Sequence, residues 1–149
     1  MERTIIKHLN YAYYGMMCLA IAAAALCYWL VMHNLVTPID PQSQLGAALQ
    51  YIVIADLLLT LPGGLYWHKR VCTRLATEQD ETTRLLAYQR SALRRIMLVS
   101  NTMVLGIAAF YLMGAYQSMI WVAAIAAIGW YFTKPTERKL FLELQPEQY

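Results

Sequence analysis

The segment "IVIADLLLTLPGGLYWHKR", residues 52–70, is an apolar run with a single carboxylate, Asp56, near its start. The apolar part of this run and the residues before it form one apolar segment over residues 46–67. Asp56 lies near the middle of that longer segment. A bilayer core of about 30 Å is crossed by about 20 helical residues, so this segment predicts a transmembrane helix. A charge at the centre of such a helix costs about 2.5–3.5 kcal/mol on insertion scales. Asp56 therefore indicates either a functional group or a polar contact between helices.

Three further apolar segments have the composition of transmembrane helices. They cover residues 9–32, 96–116 and 118–133. The chain of 149 residues is 59% hydrophobic and only 14% charged, whereas soluble domains have about 45–50% and about 25%. The sequence therefore predicts an all-α, polytopic membrane protein with four transmembrane helices in one domain over residues 1–149.

The basic residues lie on one side of this arrangement. Of the twelve Lys and Arg residues, two precede the first apolar segment, seven lie in residues 68–95 and three follow the fourth segment. The connections between the first and second segments, and between the third and fourth, contain none. Under the positive-inside rule, we expect both termini, the loop over residues 68–95 and the tail over residues 134–149 to be cytoplasmic. The expected location is an inner (cytoplasmic) membrane.

The loop over residues 68–95 has the composition of a helix rather than of a linker. It contains no Gly or Pro, and most of its residues favour helix. We expect the second and third helices to extend into it and to meet at a turn near residues 78–83. Thr77, Asp80 or Thr82 is suited to cap the returning helix.

The basic residues of this loop are candidates for contact with anionic lipid headgroups or with a protein partner. Each cation near an anionic membrane surface is worth about 1 kcal/mol. Membrane topology alone also explains such charges, so both interpretations stay open. The candidate contact residues are Lys69, Arg70, Arg74, Arg90, Arg94 and Arg95.

Asp56 has no basic residue within the apolar segments to pair with. Thr60 lies four residues later, on the same face of the helix. The other candidate hydrogen-bond partners are Gln50, Ser100 and Asn101. The sequence therefore predicts a polar site inside the membrane, built from these five residues.

Two interpretations of this polar site remain open. In the first, Asp56 bonds a neighbouring helix, of this chain or of another, and stabilises assembly by about 0.6–2 kcal/mol. In the second, Asp56, Thr60 and Asn101 form a proton or cation site beside a break in the helix, as at transporter sites. A proline removes a backbone hydrogen bond and can kink the helix. The predicted hinge consists of Pro62, Gly63 and Gly64.

The spacing of Cys and His residues does not indicate a redox or metal centre. Cys18, Cys27 and Cys72 form no C-x-x-C pair, and the three histidines are scattered. The chain has no glycine-rich phosphate loop and no nucleophile–base motif. The basic loop lacks the interleaved aromatic residues of a nucleic-acid surface. We therefore expect no metal, no cofactor, no enzymatic activity and no nucleic-acid partner.

The last third of the chain carries a family resemblance. It contains "YLMGAYQSM", residues 111–119, and "YFTKPTERKLFLEL", residues 131–144. In these stretches the chain resembles a group of small bacterial inner-membrane proteins in which a final apolar helix runs into a basic-Pro-Thr-x-x-Lys-x-x-x-acid-Leu tail. The positions that fit this pattern are Lys134, Pro135, Thr136, Lys139, Glu143 and Leu144. The resemblance implies a four-helix membrane protein and no particular activity.

The tail itself predicts a short amphipathic helix. Glu137 begins it, and Leu140, Phe141 and Leu144 fall on one side. Such a helix lies on the membrane surface or packs under the bundle.

These features together predict a non-enzymatic accessory or assembly component of the inner membrane. It would act through helix packing and through its basic cytoplasmic loop, with a second copy or another membrane protein as partner. The alternative is a small oligomeric proton or ion transporter, or a channel, that uses Asp56. A lipid-modifying enzyme is a weaker alternative, because Asp56 lies deep in the membrane and has no partner base or metal ligand.

Overall fold

A computed structural model describes residues 2–78 and 80–144, and all regular structure in these ranges is helical. This confirms the all-α prediction. The helices are α1 (Glu2–Met32), α2 (Gln44–Leu75), α3 (Glu81–Leu112), α4 (Gln117–Phe132) and α5 (Glu137–Leu144).

The outer surface of the bundle is apolar along much of its length. Within the described ranges, α1, α2 and α3 are long and apolar enough to cross a membrane. The apolar helix α4 has 16 residues, about 24 Å at 1.5 Å per residue. Large apolar side chains such as Leu58, Leu59 and Trp121 are more than 60% exposed. A surface of this kind suits lipid and not water.

Helix α3 is the centre of the bundle, because α1, α2 and α4 each pack against it. Its most apolar stretch is 44% buried, whereas that of α1 is only 6% buried. Helices α3 and α4 approach closely: a Cβ added at Gly106 would lie 3.0 Å from the backbone nitrogen of Ala123. Small residues at this crossing let the two backbones come close.

Helices α2 and α3 continue beyond their apolar segments and meet at a short turn. Helix α2 ends at Leu75 and α3 begins at Glu81. The side chain of Asp80 accepts hydrogen bonds from the backbone N–H groups of Thr82 and Thr83. Of the three candidate caps, Asp80 is therefore confirmed as the residue that begins α3.

The connection between α3 and α4 is tighter than the apolar pattern indicates. Helix α3 ends at Leu112, before residue 116, where the third apolar segment ends. Gly114 and Ala115 both have positive φ, at 66° and 62°. Two consecutive left-handed residues reverse the chain direction and stop the helix, so α4 begins at Gln117.

The helix α5 packs under the bundle. Leu140 and Leu144 are buried with Ile5, Leu9 and Leu85, from the first turns of α1 and α3. Phe141, which the sequence places on the same side, is 64% exposed. We call this end of the molecule the basic end; it comprises the start of α1, the α2–α3 turn with its flanking helical turns, and α5.

Candidate functional site

A group of buried or half-buried polar side chains lies at the basic end. It draws on three helices, α2, α3 and α5. We call it the polar cluster, and its members are His68, Cys72, Tyr88, Ser91, Arg95 and Glu143.

Helical spacing brings these side chains together. His68 and Cys72 are four residues apart and therefore share a face of α2. On α3, Tyr88, Ser91 and Arg95 follow each other at intervals of three and four residues, which again defines one face. Glu143 lies between the buried Leu140 and Leu144, so the docking of α5 directs it at the bundle.

Glu143 is the centre of the cluster. Its Oε2 accepts a hydrogen bond from the Tyr88 hydroxyl at 2.7 Å and lies 3.1 Å from His68 Nε2. Its Oε1 lies 3.5 Å from Arg95 Nη1. Both carboxylate oxygens therefore face groups that favour the ionised form.

The pKa of Glu143 reflects these contacts. Burial raises it, but hydrogen bonds from His68 and Tyr88 and the charge of Arg95 outweigh burial and bring the pKa to about 2, from 4.5. The carboxylate is therefore ionised at neutral pH and balances Arg95, which is only 6% exposed. A buried cation of this kind needs such a counter-charge.

His68 links the two sides of the cluster. It is 2% exposed, and its Nδ1 lies 2.9 Å from the Ser91 hydroxyl oxygen. Cys72 Sγ lies 3.5 Å from His68 Nε2. With Glu143 ionised, the Nε2–H donates to the carboxylate, and Nδ1 accepts from Ser91.

A cavity of about 590 Å³ opens beside the cluster, between α2 and α5. His68, Cys72, Arg95 and Glu143 lie along its wall, and Leu65 and Leu142 supply apolar surface. Lys69 also lines it. The cavity therefore gives a small molecule or ion access to the only described place where a thiol, an imidazole and a carboxylate converge.

The polar site around Asp56 has a different composition from the one expected. The Thr60 hydroxyl donates to Asp56 Oδ1 at 3.2 Å, and the Thr102 hydroxyl donates to Oδ2 at 2.6 Å. Thr102 is fully buried on α3. The acid therefore joins α2 to α3 within one chain, through Thr102, which was not among the predicted partners.

The other candidate partners of Asp56 lie elsewhere. Gln50 donates to the backbone oxygen of Pro41 at 3.0 Å. Ser100 is buried, and its hydroxyl has no hydrogen-bond partner among the described residues. Asn101 is exposed on the outer face of α3. Helical rotation explains this, since Thr102 and not its two predecessors points at α2.

The predicted hinge lies inside an uninterrupted helix. Helix α2 runs from Gln44 to Leu75 with Pro62 in its interior. Gly64 is buried and Gly63 is exposed. Pro62 therefore removes one backbone hydrogen bond without ending the helix.

The candidate contact residues for lipid or a partner fall into two groups. Arg95 is buried and pairs with Glu143, so it does not face lipid headgroups or a partner. The other five are exposed: Lys69, Arg70, Arg74, Arg90 and Arg94.

The sequence held a partial signal for the polar cluster. His68 and Cys72 are spaced as H-x-x-x-C, which places two metal-ligating groups on one helix face. Glu143 contacts His68 across 75 residues of sequence. That contact depends on how α5 docks, which no local pattern indicates.

Comparison with known proteins does not assign a family. No protein-family model matches the chain, and no curated protein or solved structure matches it. The resemblance of the tail to small bacterial inner-membrane proteins stays a prediction.

Proposed function

We propose that this protein is a non-enzymatic accessory or assembly component of the bacterial inner membrane. Four helices, α1 to α4, would cross the bilayer, with both termini and the α2–α3 turn in the cytoplasm. The support is the apolar exterior of the bundle and the placement of every Lys and Arg residue on one side of the apolar segments.

The uncovered surface of α1 is the observation that carries this proposal. Only 6% of its most apolar stretch is buried, against 22% for α2 and 44% for α3. Among the helices, α1 packs on α3 and, at its start, on α5, and Tyr13 stacks on Trp130 of α4. A helix held on one side only offers its remaining faces to helices of another protein.

The exposed face of α1 also has the composition of a helix–helix interface. Ala22 and Ala25 are exposed beside Ile21 and Leu26. In lipid, small residues allow close approach of two helices, and van der Waals packing and hydrogen bonds then stabilise the pair. We infer that α1 is the contact face for a second copy or for another membrane protein.

The Asp56 contacts favour packing over transport. Each carboxylate oxygen accepts a hydrogen bond from a threonine hydroxyl of the same chain. No second ionisable side chain bonds Asp56 among the described residues. An internally bonded acid of this kind stabilises the association of α2 with α3.

The exposed cations at the basic end would hold the cytoplasmic side against anionic headgroups. Five such residues, each worth about 1 kcal/mol near an anionic surface, give a substantial orienting attraction. Because this attraction is electrostatic, we expect it to weaken with salt.

The test is purification of the tagged protein in native lipid particles, followed by mass determination. We expect the wild-type chain to be recovered with a partner protein or as an ordered oligomer. Ala22→Phe, which places a bulky ring on the exposed face of α1, should remove that partner. Ala55→Phe is the matched control, because Ala55 is exposed on α2.

Two results would contradict the proposal. One is recovery of the wild-type protein only as a single chain of 17.0 kDa in its native lipid. The other is an equal loss of the partner in both variants, which would show that α1 is not the contact face.

A further inference from the structure

We propose that His68, Cys72 and Glu143 form a binding site for a transition-metal ion, with Zn²⁺ as the expected occupant. The three side chains offer an imidazole nitrogen, a thiolate sulfur and a carboxylate oxygen. These ligand atoms all lie within 4.8 Å of one another. The inference goes beyond the accessory function and is independent of it.

The distances suit a tetrahedral ion. Zinc binds nitrogen and oxygen at about 2.0–2.2 Å and sulfur at about 2.3 Å, so its ligand atoms are roughly 3.3–3.7 Å apart. In the structure, His68 Nε2 lies 3.1 Å from Glu143 Oε2 and 3.5 Å from Cys72 Sγ. Each of these two distances would therefore need to change by only a few tenths of an ångström to match a tetrahedral zinc site.

The types of ligand select the class of metal. Calcium takes six to eight oxygen ligands, and magnesium requires an octahedron of oxygens. A thiolate and an imidazole favour zinc and its neighbours in the first transition series. Of the three free cysteines, Cys72 is the buried one, and it is the one that lies beside a histidine.

Neighbouring residues hold two of the ligands in orientation. The Ser91 hydroxyl oxygen lies 2.9 Å from His68 Nδ1, so with Nδ1 protonated the ring donates to Ser91 and leaves Nε2 free for the ion. The Tyr88 hydroxyl bonds the Glu143 carboxylate at 2.7 Å. Partners of this kind fix ring orientation and raise metal affinity at known sites.

The site has an open side. All three ligands line the cavity between α2 and α5, so a fourth position would be filled from the cavity by water or another small ligand. Three protein ligands with an open fourth position is the arrangement of exchangeable or reactive zinc sites, whereas purely structural sites have four protein ligands.

Ion binding would have a defined proton balance. The Cys72 thiol loses its proton to the solvent when the sulfur–metal bond forms. The His68 proton moves from Nε2 to Nδ1, where Ser91 accepts its hydrogen bond. One proton is therefore released per ion when the imidazole is neutral, and affinity falls as the pH is lowered.

The experiment is a cobalt titration of the full-length protein, purified in detergent and stripped with a chelator. We expect one equivalent of Co²⁺ to give a thiolate-to-cobalt charge-transfer band with tetrahedral d–d bands, and Zn²⁺ to abolish both. Cys72→Ser should remove the charge-transfer band. Glu143→Gln should weaken Co²⁺ binding by more than about 10-fold.

The two remaining cysteines provide matched controls. Cys18 and Cys27 lie on α1, away from the cluster, so Cys18→Ser and Cys27→Ser should leave the spectrum unchanged. Absence of the charge-transfer band in the wild-type protein would overturn the proposal. Its persistence in Cys72→Ser would do the same.

Helix content and elution volume would show whether the Cys72→Ser protein is folded. If the Cys72→Ser protein does not fold, a milder variant tests the same site. Ser91→Ala keeps all three ligands and removes only the partner of His68 Nδ1, so affinity should fall by about 10–100-fold. Unchanged affinity in Ser91→Ala would contradict the orientation of His68 on which the site depends.

Discussion

The molecule contains two polar sites, and the acidic side chain at the centre of each has different partners. Asp56, within the apolar part of α2, is bonded to two threonine hydroxyls and has no charged partner among the described residues. Glu143, at the basic end, is bonded to a tyrosine and a histidine and lies beside an arginine. The first site is confined to the α2–α3 contact, whereas the second borders a cavity.

The difference separates an acid enclosed between two helices from an ionised acid that a ligand can reach. Hydroxyl donors satisfy Asp56 without adding a charge, which suits a low-dielectric environment. Glu143 is kept ionised by charged and polar neighbours, and an ionised carboxylate beside a thiol and an imidazole can bind a cation. We therefore assign helix association to Asp56 and ligand chemistry to the polar cluster.

The largest effect is expected when Glu143 is removed. Glu143→Ala leaves Arg95 buried without its counter-charge, and removal of one partner of a buried pair costs about 3–5 kcal/mol. The Glu143 side chain is 23% exposed, so we expect about 3 kcal/mol. Hydrogen exchange of α5 and denaturant unfolding would measure the loss.

The control for this prediction is Glu137→Ala. Glu137 lies 4.0 Å from Arg3, and both side chains are more than two thirds exposed. An exposed pair of this kind contributes at most about 1 kcal/mol. Equal destabilisation by the two variants would show that the polar cluster contributes no more than a surface contact.

Acid should remove part of the same interaction. The pKa of Glu143 falls from 4.5 to about 2 on folding, so its contribution is fully present above pH 4.5 and is lost as the pH falls towards 2. The unfolding free energy of the wild-type protein should therefore decrease across that window. Glu143→Gln should show a smaller decrease, and parallel curves for the two proteins would contradict the assignment.

A smaller effect is expected at the Asp56 site. Thr102→Val keeps the shape of a fully buried side chain and removes its hydrogen bond to Asp56. Interhelical hydrogen bonds in membranes contribute about 0.6–1.7 kcal/mol, so the unfolding free energy should fall by that amount. Thr73→Val, at an exposed position whose hydroxyl bonds only the Lys69 carbonyl, should have almost no effect. A loss above 3 kcal/mol would indicate that Asp56 is held as tightly as Glu143.

Local chemistry made several features predictable from the sequence. Long apolar runs predict helices because lipid requires every backbone group to be bonded within the segment. Asp80 was one of three candidate caps, because its short side chain can bond residues two and three positions later. Both properties depend on neighbouring residues only.

Features that depend on long-range packing could not be predicted from the sequence. Ser100, Asn101 and Thr102 are adjacent polar residues, and only the rotation of α3 about its axis decides which of them points at Asp56. Contacts with three other helices set that rotation. The position of Glu143 depends on the docking of α5 against α2 and α1. The positive φ of Ala115 has no local signal, because alanine rarely adopts it.

The most direct test of this division of roles is a comparison of wild type and Asp56→Asn in the same native-lipid particles and in liposomes. We predict that the variant keeps its partner protein or oligomeric mass, loses little stability, and shows the same proton and cation flux as the wild type. If assembly is unchanged but a flux present in the wild type disappears from the variant, Asp56 is a transport site and the structural role assigned to it is wrong.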